Sequence, residues 1–157
     1  MLWMGTAQPL PERPRTKEPD ATLGYACVEE VPPDAPVRAR FTSPHVAYVG
    51  SHEGCGCGFE SNGLDFDGVS TTAEAEELLP AMSAKEQEAF EAQQRSRTWL
   101  RTLVDGARED GPVELFACWA GDESERALHE HVIAPEALTS QTAPLEERAH
   151  YVVIEAR

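Results

Sequence analysis

Residues 83–120 restrict what this chain can fold into more than any other part of it. Ser83 stands three positions before Glu86, the spacing of a capping box, in which hydroxyl and carboxylate each satisfy a free backbone N–H. Phe90, Leu100, Leu103, Val104 and Ala107 then recur at helical intervals, with Trp99 at the border of the stripe. Glu, Gln and Arg fill the opposite side, so the pattern predicts an amphipathic helix over 83–109. Asp110-Gly111-Pro112 stops it, because glycine suits a helix C-terminus and proline cannot continue one. Val113 to Ala120 (VELFACWA) follows, apolar at nearly every position. A strand with two apolar faces is buried on both, which predicts a central place in a sheet.

The remaining segments supply partners for that strand. Leu2-Trp3-Met4 before Gly5-Thr6 reads as a short buried strand. Residues 9–20 hold four prolines among charged residues and predict a surface connection, since proline lacks the backbone donor. Leu23 to Val31 reads as a second strand ended by Pro32-Pro33, with Cys27 as a small core residue. Asp34 to Phe41 predicts one or two helical turns with Asp34 as N-cap and Pro36 in the first turn. His45 to Gly50 is a further strand. Asn62-Gly63 and Asp67-Gly68 are turn signals that permit a hairpin over 60–70, and Thr71 or Thr72 can cap a short acidic helix before Pro80. His131-Val132-Ile133, a turn at Pro135–Leu138, and a last strand from His150 to Glu155 close the chain. The expected fold is therefore α/β or α+β. It is a single two-layer domain over 1–157, with a mixed sheet of four or five strands and one long helix across a face.

Charge narrows the partners. The chain carries 28 Asp and Glu against 13 Lys and Arg, a formal charge of −15. Such a surface repels phosphate backbones, so no nucleic-acid partner is expected; the charge reads first as a well-solvated surface, and its sharper alternative is a face for a basic protein partner. The opening MLWMGTAQPL lacks the basic and long apolar regions of a signal peptide. No apolar run approaches the ~20 residues of a membrane span. A cytoplasmic location is expected, and there the four cysteines remain thiols.

Reactive side chains and permissive backbone coincide in one stretch, Pro44 to Phe59 (PHVAYVGSHEGCGCGF). His52, Cys55 and Cys57 form H-x-x-C-x-C among Gly54, Gly56 and Gly58. Three nitrogen and sulfur donors within six residues supply most of a tetrahedral Zn²⁺ site. A positive φ at Gly56 would turn both sulfurs to one side. If the strands 45–50 and 113–120 lie parallel, with the helix as their crossover, their C-terminal loops share one end of the sheet. Cys118 is then the first choice of fourth ligand, with His131 or Asp122 behind it.

Three other readings compete for this loop. Cys55 and Cys57 can cycle between dithiol and disulfide in a small strained ring. The glycine N–H groups can form a nest for an anion. Or the loop is a tight turn with two small thiols. An acidic binding module without catalysis is the remaining class. His45 reads as a partly buried, hydrogen-bonded residue, and His129 and His131 as alternating, with one toward solvent. Trp3, Trp99 and Trp119 read as core aromatics. No P-loop, dinucleotide fingerprint or nucleophile elbow occurs, and no catalytic residue is assigned.

The run Gly54-Cys55-Gly56-Cys57-Gly58-Phe59 resembles the Cys-Gly-Cys-Gly tail of A-type iron–sulfur carriers. That likeness is local, because here the motif lies mid-chain. More broadly, LWMGT with its proline-rich continuation, FTSPHVAYVGSHEGCGCGF and VELFACWAGDE resemble a set of small uncharacterised bacterial proteins. The resemblance implies a compact intracellular bacterial protein and no particular reaction.

Overall fold

The computed structural model describes residues 1–14, 27–51, 55–59, 80, 83–139 and 145–154. Six strands form one mixed sheet: β1 (Leu2–Thr6), β2 (Cys27–Glu30), β3 (His45–Gly50), β4 (Val113–Ala117), β5 (His129–Ile133) and β6 (Ala149–Val153). One long helix, α1 (Ala84–Arg108), lies between β3 and β4 in sequence. The fold is α+β as expected, with six strands in place of four or five. The additional pairing comes at the C-terminal side, where β5 adds to β6 in parallel while the other neighbours are antiparallel.

Strand order is β2-β3-β1-β4-β6-β5, so β1 and β4 are central and every residue of both is buried. Alternation along the strands divides the core in two. Leu2, Met4, Val49, Leu115, Ala117 and Tyr151 face the helix and pack with Leu100 and Val104. Trp3, Val46, Tyr48, Phe116, Cys27 and Cys118 face the other way, under Val31 and Val37. Val37 belongs to a 3-10 turn, Pro36–Arg40, whose N-cap is Ala35 and makes no side-chain cap bond; Asp34 does not cap it.

The capping box forms as its spacing predicts: the Ser83 side chain accepts from Glu86 N–H, and Ser83 N–H donates to Glu86 Oε2 at 2.7 Å. Those bonds to Ser83, side chain first and backbone second, lower the Glu86 pKa below its ordinary value. The buried face of α1 differs from the expected stripe. Gln93, Ser96 and Arg97 are buried along with Phe90, Leu100 and Val104, so Gln93 and Arg97, of the residue types assigned to the outer side, lie inside. Positions 90, 93, 97, 100 and 104 keep the 3–4 spacing of one helix face, and geometry overrides polarity there.

Trp3 is buried and Trp99 packs on the helix-side core, but Trp119 is 56% exposed. Strand β4 ends at Ala117, two residues earlier than Trp119, which starts a turn closed by Asp122 N–H to the Trp119 carbonyl at 3.2 Å. Leu103→Ala, at the half-buried edge of the stripe, should lower unfolding free energy by about 1–2 kcal/mol. Trp119→Ser should change it by less than about 0.5 kcal/mol. Urea midpoints of the two variants check both, and equal losses would contradict this placement of the core.

Candidate functional site

Strands β3 and β4 both pair antiparallel with β1, with Val49 and Ala117 opposite Leu2 from its two sides. They therefore run parallel to one another and leave the sheet at the same end, as expected. They are not adjacent, however. β1 separates them by two strand spacings, about 9.6 Å. Met1 continues the β1–β4 ladder, since Cys118 N–H donates to the Met1 carbonyl at 3.0 Å and Met1 N donates back to the Cys118 carbonyl.

The thiol loop meets the sheet at this end. Ser51 N–H donates to the Cys55 carbonyl at 2.7 Å, tying the two ends of the 51–55 segment together. A 3-10 turn follows, Gly56–Phe59. Gly56 does not adopt a positive φ. A Cβ there would lie 2.6 Å from Leu2 N and 2.7 Å from the Met1 carbonyl carbon, so glycine is needed for close approach of two backbones. Phe59 is 1% exposed and joins the helix-side core, and its carbonyl accepts from Arg97 Nε at 3.3 Å and Nη2 at 3.2 Å. The turn is thus held on one side by β1 and on the other by α1.

Cys55 is half-buried, whereas Cys27 and Cys118 are buried in the cluster away from the helix. Burial pushes the Cys118 thiol above its ordinary pKa, which disfavours the thiolate. His52 lies outside the described residues, as do the predicted hairpin at 60–70 and the Thr71 or Thr72 cap. Nothing is described of the Cys57 side chain. Among the described residues, no group of three or more His, Cys, Asp or Glu side chains is arranged to hold a metal ion. His45 Nδ1 lies 3.6 Å from Glu30 Oε1. His129 and His131 share one side of β5, as residues two apart on a strand must, and their rings stack at 6.2 Å. His131 also stacks on Tyr151 at 5.1 Å, far from the thiol loop along the sheet order.

A second polar constellation lies on the face away from α1. Glu114, 4% exposed, points from central β4 toward the segment after the 3-10 turn. It accepts from Thr42 N–H at 2.9 Å, Thr42 Oγ1 at 2.8 Å and Ser43 N–H at 3.0 Å. Burial acts to raise its pKa, but these hydrogen bonds outweigh burial and the net shift is downward. His150 Nε2, on neighbouring β6, is 3.9 Å from Glu114 Oε1, beyond hydrogen-bond range. The His150 ring meets Phe41 edge-on at 5.9 Å. Phe41 and Glu114 close over Gly5, where a Cβ would sit 2.5 Å from Phe41 Cδ1. The sequence offered one signal for this arrangement. Glu114 is the lone charge in VELFACWA, and a carboxylate inside a strand buried on both faces requires partners.

Comparison of the chain with protein-family models, with curated proteins and with solved structures gives no match. No helix among the described residues is long and apolar enough to cross a membrane.

Proposed function

We propose that this protein is a metal-binding protein that captures Zn²⁺ through the loop carrying His52, Cys55 and Cys57. The observation that supports the reading is how the loop is anchored. Ser51 N–H to Cys55 C=O closes its first half, and Gly56 lies against the Met1–Leu2 backbone. A docked turn loses less conformational freedom on binding than a free one, which favours a chelating pair of thiolates. Cys55 is also the most accessible of the thiols whose burial is described.

Thiolate and imidazole donors select Zn²⁺ over Mg²⁺ or Ca²⁺. Three ligands from the loop leave a fourth position for water, and a fourth ligand at Cys118 closes the site. Cys118 lies in the cluster away from the helix, while Phe59 packs in the helix-side cluster. That separation favours the three-ligand form.

Protein purified without chelator or histidine tag should carry near-stoichiometric zinc by elemental analysis. Cys55→Ser and Cys57→Ser should each abolish it, and Cys118→Ser should retain it. A folded, metal-free parent that takes up no added Zn²⁺ would overturn the reading, and loss of zinc in Cys118→Ser would establish the closed four-ligand form instead.

A further inference from the structure

On the sheet face away from α1, a cleft of about 530 Å³ opens between the 3-10 turn Pro36–Arg40 and the Arg126–Ala127 segment. That volume falls within the roughly 300–1,000 Å³ usual for small-molecule sites. Phe116 and Val152 give it an apolar floor, and Ala39 and Ala127 line it further. Its charged groups are unusual for this chain. With 28 acidic residues against 13 basic ones, arginines readily find carboxylates. Arg38, Arg95, Arg101, Arg108 and Arg148 do so. Arg40 and Arg126, both lining the cleft, have no carboxylate partner among the described residues.

Two nitrogens in the same cleft are also unsatisfied. Arg40 Nε and His150 Nε2 are buried without a hydrogen-bond partner among the described residues, a condition that native structures avoid. Glu114 does not supply it, being engaged by Thr42 and Ser43 and too far from His150 Nε2. Glu130 brings a carboxylate to the lining, yet it forms no ion pair with either arginine.

We propose that this cleft binds a small organic anion, an oxyanion group carried on a compact apolar body. The oxyanion lies between the Arg40 and Arg126 guanidinium groups, whose planar donors match carboxylate and phosphate oxygens. The apolar body rests on Phe116 and Val152 and displaces water from them. A modest rotation of Arg40 or of the His150 ring on binding gives their shielded nitrogens a polar partner. The site is independent of the thiol loop, which meets the sheet on its helix side.

Benzoate and phenyl phosphate distinguish the two oxyanions, with benzyl alcohol as the neutral analogue and inorganic phosphate as the anion without a body. Calorimetric titration of the full chain should show saturable binding of at least one aromatic anion at millimolar concentration. Neither benzyl alcohol nor inorganic phosphate should match it. Arg40→Met and Arg126→Met should each weaken binding about tenfold, the loss of one charged contact. Arg126 is exposed and its side chain holds no described partner, so Arg126→Met keeps the test valid should Arg40→Met unfold. The His150 ring resonances should shift on titration and stay fixed with the alcohol. Absence of binding by both aromatic anions would overturn the proposal. So would equal binding of benzyl alcohol or of inorganic phosphate, or affinity unchanged in Arg126→Met.

Discussion

Arg97→Ala is expected to lower the unfolding free energy by about 4 kcal/mol, the largest effect of any single substitution considered. The residue is 1% exposed in the middle of α1, and burial lowers its pKa without removing its charge. Its Nε and Nη2 both donate to the Phe59 carbonyl, at 3.3 and 3.2 Å. Truncation removes those donors from a buried acceptor and opens a cavity between the helix and the turn Gly56–Phe59. Arg97→Met keeps most of the aliphatic volume and loses only the donors, so about half of the cost should remain. Chemical denaturation gives the two energies. Hydrogen exchange should show faster exchange over 55–59 in both variants while β1 and β4 stay protected. Unchanged midpoints would mean that this guanidinium does not hold the loop. Loosening the turn should also weaken zinc capture, which ties this prediction to the proposed function.

Glu114→Ala should cost about 3 kcal/mol near neutral pH, from several charge-assisted hydrogen bonds lost at once. Part of the gross loss is recovered, since Thr42 is exposed and water can replace the carboxylate there. The same residue fixes an acid dependence. Burial favours its neutral form, but the bonds from Thr42 and Ser43 prevail and hold its pKa below the ordinary 4.5. The folded value lies under the unfolded one, so the contribution is fully present above pH 4.5 and is lost as pH falls through the folded value. The parent should lose stability along that descent, and Glu114→Gln, with nothing to titrate, should show a shallower decline. Urea midpoints between neutral pH and mild acid compare them. Parallel curves would show that Glu114 makes no such contribution.

Much of the architecture was legible because it rests on local rules. Ser83 and Glu86 carry a capping box in their spacing, and the helix ends at Arg108, before the Asp110-Gly111-Pro112 stop. The apolar strand at 113–117 takes the central position that its two apolar faces demand. His45 to Gly50 forms a strand over its full predicted length. Where reading failed, a long-range partner decided. Arg97 and Gln93 read as outer-face residues, yet lie inside because the helix crosses the turn after Cys55. Trp119 reads as core and lies outside because β4 ends before it.

The candidate sites divide in the same way. Sequence alone determined that His52, Cys55 and Cys57 share one glycine-spaced loop, since proximity along the chain limits how far their side chains can separate. It could not give the reason for Gly56, which answers to the Met1–Leu2 backbone rather than to its own φ. It could not place Cys118, because β1 inserts between β3 and β4 and alternation turns that thiol away from the helix. Nor could it pair Glu114 with Thr42 across 72 positions, or bring Arg40 and His150 to one cleft. A strand's period fixes which side chains share a face, but only the order of strands in the sheet decides which faces meet.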